Sequence, residues 1–208
     1  MRLTKKLSIT NIFIAINVVF FIFALILLYY NENFIDYLAL KPANILAFRN
    51  LWTLLTSIFL QLNPSHLFIN MISLLFIGNF VEKIIGRKRF LWFYLISGVI
   101  AGLFFSVLSI FSDINIYAVG ASGAIFALGG LLMLLTPNLK VLVFFVIPMR
   151  LFYAMIFMLV ALWIVSWAAG LPIGNSAHLG GLLAGLGYGC YLRIRYKRKV
   201  ALLNRMFA

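Results

Sequence analysis

The chain has 208 residues, of which 65% are hydrophobic and only 10% charged. Soluble domains average about 45–50% apolar and about 25% charged residues, so this composition excludes a water-soluble globule and describes an integral, multi-pass membrane protein. The net charge of +13 is not a nucleic-acid footprint, because the basic residues stand in short clusters between apolar runs and read as membrane topology.

The first apolar run, 9–30, follows Arg2, Lys5 and Lys6. It is too long for the core of a cleaved signal and lacks an A-x-A-like site, so it reads as a retained span. Residues 31–63 are mixed. Within them LWTLLTSIFLQL is apolar but too short to cross, and an interfacial or re-entrant element is expected. A second span is expected over 64–82, then the basic turn EKIIGRKR. The third runs over 90–111 and leads into the polar link SDINIY. The fourth, 118–135, stops at TPN, where proline breaks the helix. Residues 138–149, with VLVFFVIP, read as interfacial or as an early part of the fifth span, 150–168. GLPIGN is a loop, the sixth span is 176–192, and the tail 193–208 opens with the polybasic RIRYKRK.

Six spans with a cytoplasmic N-terminus place Lys83, Arg87, Lys88, Arg89, Lys140, Arg150 and the basic tail inside. Only Lys41 and Arg49 fall outside, together with the acids Glu32, Asp36 and Asp113. Such a bias is what both ends in the cytoplasm should give. The expectation is an all-α membrane protein of one domain, 1–208, without repeats or linkers. The tail reads as a stop-transfer flank that can also touch anionic lipid head groups, at about 1 kcal/mol per basic residue. Cys190 is the single cysteine, so no internal disulfide forms. Two histidines and four acids leave little for a metal site, and neither metal nor organic cofactor is expected.

Polar groups inside spans are costly and are functional candidates. His66, Asn70, Ser122 and His178 all lie on even-numbered spans, so their heights can be compared. Ser122 stands 15 residues before Pro137, His178 15 before Arg193 and His66 16 before Glu82. At about 1.5 Å per residue all three sit roughly 22–24 Å above the inner end. Asn70 shares the face of His66 at an i,i+4 offset.

A serine needs an adjacent base to act as nucleophile. A histidine can take the proton on attack and return it to the leaving amine. Ser122 and His178 therefore read as a dyad. Backbone N–H groups at the start of span 4 around Ser122, with His66 and Asn70, are candidate donors to a tetrahedral oxyanion. Gly120 and Gly123 permit close backbone approach. Gly181 and Gly185 form a small-xxx-small pair on the helix of His178, which should bring spans 4 and 6 together. A third, acidic member is not expected. Each of these residues also has a bland reading, as packing glue or helix-end hydrogen bonding. The shared height is what favours chemistry.

With these residues placed, the chain resembles the rhomboid family of intramembrane serine proteases from about Leu51 to Gly189. HLFIN matches the family's H-x-x-x-N, GASG its G-x-S-G, and AHLGGLLAG its A-H-x-x-G-x-x-x-G, while VEKIIG resembles a segment common in the family. The resemblance implies a six-helix rhomboid fold, with the serine opening span 4 and the histidine in span 6. Ser122 would be nucleophile and His178 general base and acid. His66, Asn70 and the Ser122 backbone would form the oxyanion hole. Residues 31–63 would be a membrane-lying L1 loop, and spans 2 and 5 the lateral substrate route, with Phe157, Leu162 and Trp163 as gate candidates.

The family's usual Trp-Arg is Trp52-Thr53 here. A frequent histidine is Gln61, and a frequent tyrosine that stacks on the base is Phe126. The implied substrates are single-span membrane proteins, cut near small or helix-breaking residues, and the absence of an extra domain or presequence favours a bacterial plasma membrane. A rhomboid-like chaperone or scaffold that binds membrane helices without cutting is the alternative. Retention of Ser122 and His178 argues against it, and the lack of a mid-membrane charge argues against a transporter.

Overall fold

The computed structural model describes residues 7–111, 116–143, 146–171 and 173–207. Asp113, most of the SDINIY link and the basic cluster Arg2, Lys5 and Lys6 lie outside the described residues. Among the described residues four helices are long and apolar enough to cross a membrane: Ile9–Tyr30, Pro64–Ile85, Arg87–Phe111 and Leu151–Ala169.

Helix α1 (Ile9–Tyr30) begins where the Ser8 hydroxyl accepts a bond from Asn11 N–H at 3.2 Å, a side-chain cap. The Glu82 carboxylate binds the same end, accepting from the Ile9 and Thr10 N–H groups, each at 2.9 Å, and from the Thr10 hydroxyl at 2.8 Å. The acid next to the supposed basic turn is therefore buried between helices.

Residues 31–63 form no span. Short helices at Ile35–Leu38, Pro42–Leu46 and α2 (Thr53–Phe59) fold into a side element. It is fastened by Trp52 Nε1 donating to Tyr37 O at 3.0 Å and the Thr56 hydroxyl donating to Leu38 O at 2.9 Å. Leu40 pairs with Ala118 through two backbone bonds, of 3.1 and 2.8 Å, which ties this element to the chain entering the next helix.

Helix α3 (Pro64–Ile85) is longer than the expected 64–82 and contains a π-helical stretch over Leu74–Gly78. EKII is helical, and the turn begins only at Gly86, whose φ of 85° suits glycine. Helix α4 (Arg87–Leu108) starts three residues before the expected 90, with its cations as its first turn.

Helix α5 (Ser122–Leu135) is the largest correction. It was expected from 118, but residues 118–121 are not helical. Gly120 has φ of 116°, and its N–H donates to Ser57 O in α2 rather than to a carbonyl four residues earlier. The helix is 14 residues long, or about 21 Å, and every residue of it is buried apart from Ser122 and Leu134.

Residues 138–149, read as interfacial or helical, contain a hairpin instead. Strand β1 (Lys140–Val143) pairs antiparallel with β2 (Ile147–Arg150), with Lys140 opposite Arg150. Pro148 cannot sit in a helix interior, and Val141, Val143 and Ile147 favour extended backbone. The all-α expectation thus gains one small ribbon.

Helix α6 (Leu151–Ala169) buries only Leu151, Ala154 and Met155. Helix α7 (Asn175–Arg195) crosses α5 along its glycines. Arg193–Tyr196 lead into α8 (Lys197–Arg205), which buries Val200 while its cations stay exposed. The tail is therefore an amphipathic helix against the bundle, and the Phe207 ring meets Phe80 edge-on at 5.7 Å.

Candidate active site

The site lies at the end of the bundle away from the basic turn, where α3, α5 and α7 begin. Three local devices place it. Asn63 caps α3 by accepting from His66 N–H at 2.8 Å, and Pro64 opens the helix. Gly120 turns the incoming strand so that Ser122 becomes the first residue of α5. The glycines of α7 let it lie directly on α5.

That last contact is backbone on backbone. A Cβ added to Gly181 would strike the Gly123 carbonyl, and one added to Gly185 would strike the Ala127 carbonyl. No side chain fits between the helices there. One turn along α7, the imidazole of His178 meets Ser122, with Oγ 2.7 Å from Nε2. His178 is 6% exposed. Its other ring nitrogen, Nδ1, is buried and has no hydrogen-bond partner among the described residues. The Phe126 ring stacks on the imidazole at a centroid distance of 4.6 Å and an interplanar angle of 15°.

His66 and Asn70 approach from α3. Asn70 Nδ2 lies 3.1 Å from His66 Nε2. A Cβ on Gly120 would come within 2.7 Å of His66 Cε1 and 3.4 Å of Asn70 Nδ2, so the backbone entering α5 lies against both side chains. The structure thus brings together Ser122, His178 and Phe126 in one cluster, and His66, Asn70 and Gly120 in a second beside it. Gly123, Gly181 and Gly185 form the helix contact that holds the first.

The depth of the site follows from helix length. Helix α4 has 22 residues, or about 33 Å, against about 21 Å for the 14 residues of α5. The nucleophile candidate therefore starts well inside the layer that its longer neighbours traverse. Among the described residues no three His, Cys, Asp or Glu side chains stand close enough to hold a metal ion.

The Rhomboid domain family model matches residues 49–195. The chain belongs to the rhomboid family. It is 33% identical over 146 residues to the Rhomboid protease GluP of Bacillus subtilis, covering 70% of this chain and 27% of that protein. It is 35% identical over 163 residues to RHOMBOID-like protein 1 of Arabidopsis thaliana, covering 76% of this chain and 39% of the relative. A shorter match, 35% over 89 residues, covers 42% of this chain and 24% of the Inactive RHOMBOID-like protein 8 of Arabidopsis thaliana. The chain thus spans well under half the length of these relatives.

The rhomboid match covers the dyad, the α3 pair and the glycine contact, but not α1. One residue of α1 nevertheless reaches the site region and escaped sequence reasoning. Asn17 is fully buried, and its Oδ1 accepts from Gln61 Nε2 at 2.8 Å. An asparagine in the middle of a greasy first span, away from the Asn11 at its first turn, was the available signal. Gln61 stood out only as a departure from the family pattern.

Proposed function

We propose that this rhomboid-family chain is an intramembrane serine endopeptidase that cleaves single-span membrane proteins. The observation that carries the reading is the 2.7 Å contact between Ser122 Oγ and His178 Nε2 across two helices in direct backbone contact. We read the chain as one six-span domain with both termini cytoplasmic. Of the two helices beyond the four most apolar, α5 is buried along nearly all its length in the centre of the bundle, and α7 packs one face on it while its other face, with Leu183, Gly187 and Tyr191, stays exposed.

In the proposed reaction the Ser122 hydroxyl donates to Nε2, which requires the proton of neutral His178 to sit on Nδ1. As Oγ attacks the peptide carbonyl, Nε2 takes its proton. The carbonyl oxygen becomes an oxyanion facing the Ser122 backbone N–H, unspent at the first helical residue, and the nitrogens of Asn70 and His66. His178 then protonates the leaving amine, which departs with its half of the substrate. A water repeats the cycle on the acyl-enzyme. The π-face of Phe126 favours the transient imidazolium by about 0.5–2 kcal/mol.

A helical substrate hides its carbonyls in its own hydrogen bonds and must unwind locally to be cut. Helix α6, whose fully buried residues Leu151, Ala154 and Met155 all lie in its first two turns, is the element that leaves a side entrance.

The test uses purified protein in detergent with a fluorophosphonate probe and a single-span reporter. The wild type should be labelled and should cut, whereas Ser122→Ala and His178→Ala should do neither. A scaffold would bind the reporter equally in all three and cut it in none.

A further inference from the structure

A line of buried carboxamides runs from the first helix to the oxyanion side of the site. Asn70 Nδ2 donates to Gln61 Oε1 at 2.8 Å. Gln61 Nε2 donates to Asn17 Oδ1 at 2.8 Å, and Asn17 Nδ2 donates to the Phe13 carbonyl at 2.8 Å. The three amides come from α3, the 31–63 segment and α1, and none is more than 4% exposed.

A carboxamide is reversible: it can turn either its oxygen or its NH2 toward a neighbour. A backbone carbonyl is not, because it only accepts. The Phe13 carbonyl therefore obliges Asn17 to turn its NH2 toward it and its oxygen toward Gln61. Gln61 must then give its NH2 to Asn17 and its oxygen to Asn70, and Asn70 must present NH2. The polarity of one carbonyl in α1 is passed through three amides and emerges beside the site as a donor.

His66 is fixed in a matching sense. Its Nδ1 faces the Leu62 N–H at 3.3 Å, so Nδ1 accepts and Nε2 carries the hydrogen. Asn70 uses one N–H on Gln61 and has one left. Two N–H donors, on Asn70 Nδ2 and His66 Nε2, then stand 3.1 Å apart with no acceptor between them. A donor pair of this kind suits an anionic oxygen.

We infer that Gln61 and Asn17 are positioning residues which fix the amide polarity of Asn70, so that it offers a donor to the oxyanion of the transition state. The inference rests on the protease reading above. In it Gln61 is more than filler where relatives often carry histidine, and Asn17 is more than a polar residue tolerated in a span.

The experiment measures kcat and KM of the full chain in detergent on a single-span reporter. The wild type and Ser122→Ala serve as references for the protease reading. Gln61→Met, which keeps length and removes both hydrogen bonds, should lower kcat about tenfold, less than outright loss of an oxyanion donor, with KM within about twofold. In an Asn70→Ala background the same change should leave kcat unaltered, because no amide remains to be oriented. Asn17→Leu, near in volume and at the far end of the line, should give a smaller kcat deficit that likewise vanishes in that background.

Full kcat in Gln61→Met and Asn17→Leu, or an equal fold-loss with and without Asn70, overturns the inference and leaves the protease reading standing. An equal loss in both backgrounds is what mere weakening of the fold would produce. A wild type no more active than Ser122→Ala removes both.

Discussion

Gly181 lies so close to Gly123 that a methyl group added to it would overlap the Gly123 carbonyl oxygen. His178 is three residues away on the same helix and bonds Ser122, which is next to Gly123. The packing contact and the chemical contact are therefore one mechanical unit. Gly181→Ala should push α5 and α7 apart and draw the imidazole off the hydroxyl. A displacement of about 1 Å can cost on the order of 100-fold in rate. The expected result is a fall in kcat of that order, with fluorophosphonate labelling slowed in parallel. Gly187, where an added Cβ meets nothing within 4 Å, is the control on the same helix, and Gly187→Ala should leave both rates near wild type.

Phe126 covers one face of His178. Phe126→Leu keeps an apolar side chain at a buried position but removes the π-face. In the proposed reaction the imidazolium formed during attack loses about 0.5–2 kcal/mol of cation–π stabilisation, which is roughly a two- to thirtyfold fall in kcat. KM should stay unchanged, because the ground-state imidazole is neutral. A pre-steady-state measurement of acylation locates the loss in that step.

How far the sequence discloses this molecule depends on which force decides each feature. Lipid decides the long apolar helices, and their limits were legible to within a few residues in α1 and α6. The dyad candidates and glycines were legible because a histidine is costly in a span and Gly181 and Gly185 stand four residues apart on the helix that carries it. The start of α5 was legible only through the family resemblance, which has the serine open span 4, and not in the hydropathy run. Ala118 and Val119 are apolar and extend a hydropathy run, yet Ala118 pairs with Leu40 and Gly120 N–H bonds Ser57 O, and both partners come from distant sequence. The hairpin was obscured for a related reason, since a β-branched apolar run reads alike as strand or buried helix. The amide line from Asn17 was hidden because its partners lie 44 and 9 residues apart.

The 31–63 segment carries a pH-sensitive fastening. Tyr117 Oη donates to Asp36 Oδ1 at 2.7 Å, and Lys41 Nζ lies 3.4 Å from Tyr117 Oη and 3.5 Å from Asp36. The Tyr117 hydrogen bond, with help from Lys41, holds the Asp36 carboxyl below its ordinary 3.8. The bond to Asp36 raises the Tyr117 phenol above its ordinary 10.0. A lowered acid contributes stability above its unfolded value and loses it as pH falls through the folded one. A raised phenol contributes below its unfolded value and loses it as pH rises through the folded one. The fastening should therefore be complete between pH 3.8 and 10.0 and weaken outside. Amide exchange at Leu40 and Ala118, the bridge beside it, should show this as protection relative to Tyr117→Phe. That ratio should be constant within the window and fall toward one beyond either limit.

Glu82 makes the opposite end of the molecule the more sensitive to unfolding. Its carboxylate is 7% exposed and accepts three bonds from the start of α1. Two of these come from N–H groups that the helix itself cannot satisfy. Removing a charged acceptor from buried donors leaves them unpaired and costs about 2–4 kcal/mol. Glu82→Ala should lower stability by that amount in a detergent unfolding titration, whereas Thr10→Val, which removes one hydroxyl donor and leaves the carboxylate with two bonds, should cost about 1 kcal/mol. The affected end lies a helix length from Ser122, so turnover measured well below the unfolding midpoint should remain near wild type in both variants. A large loss of kcat in Glu82→Ala under those conditions would show that seating α1 reaches the site, and the amide line through Asn17 is the route by which it would do so.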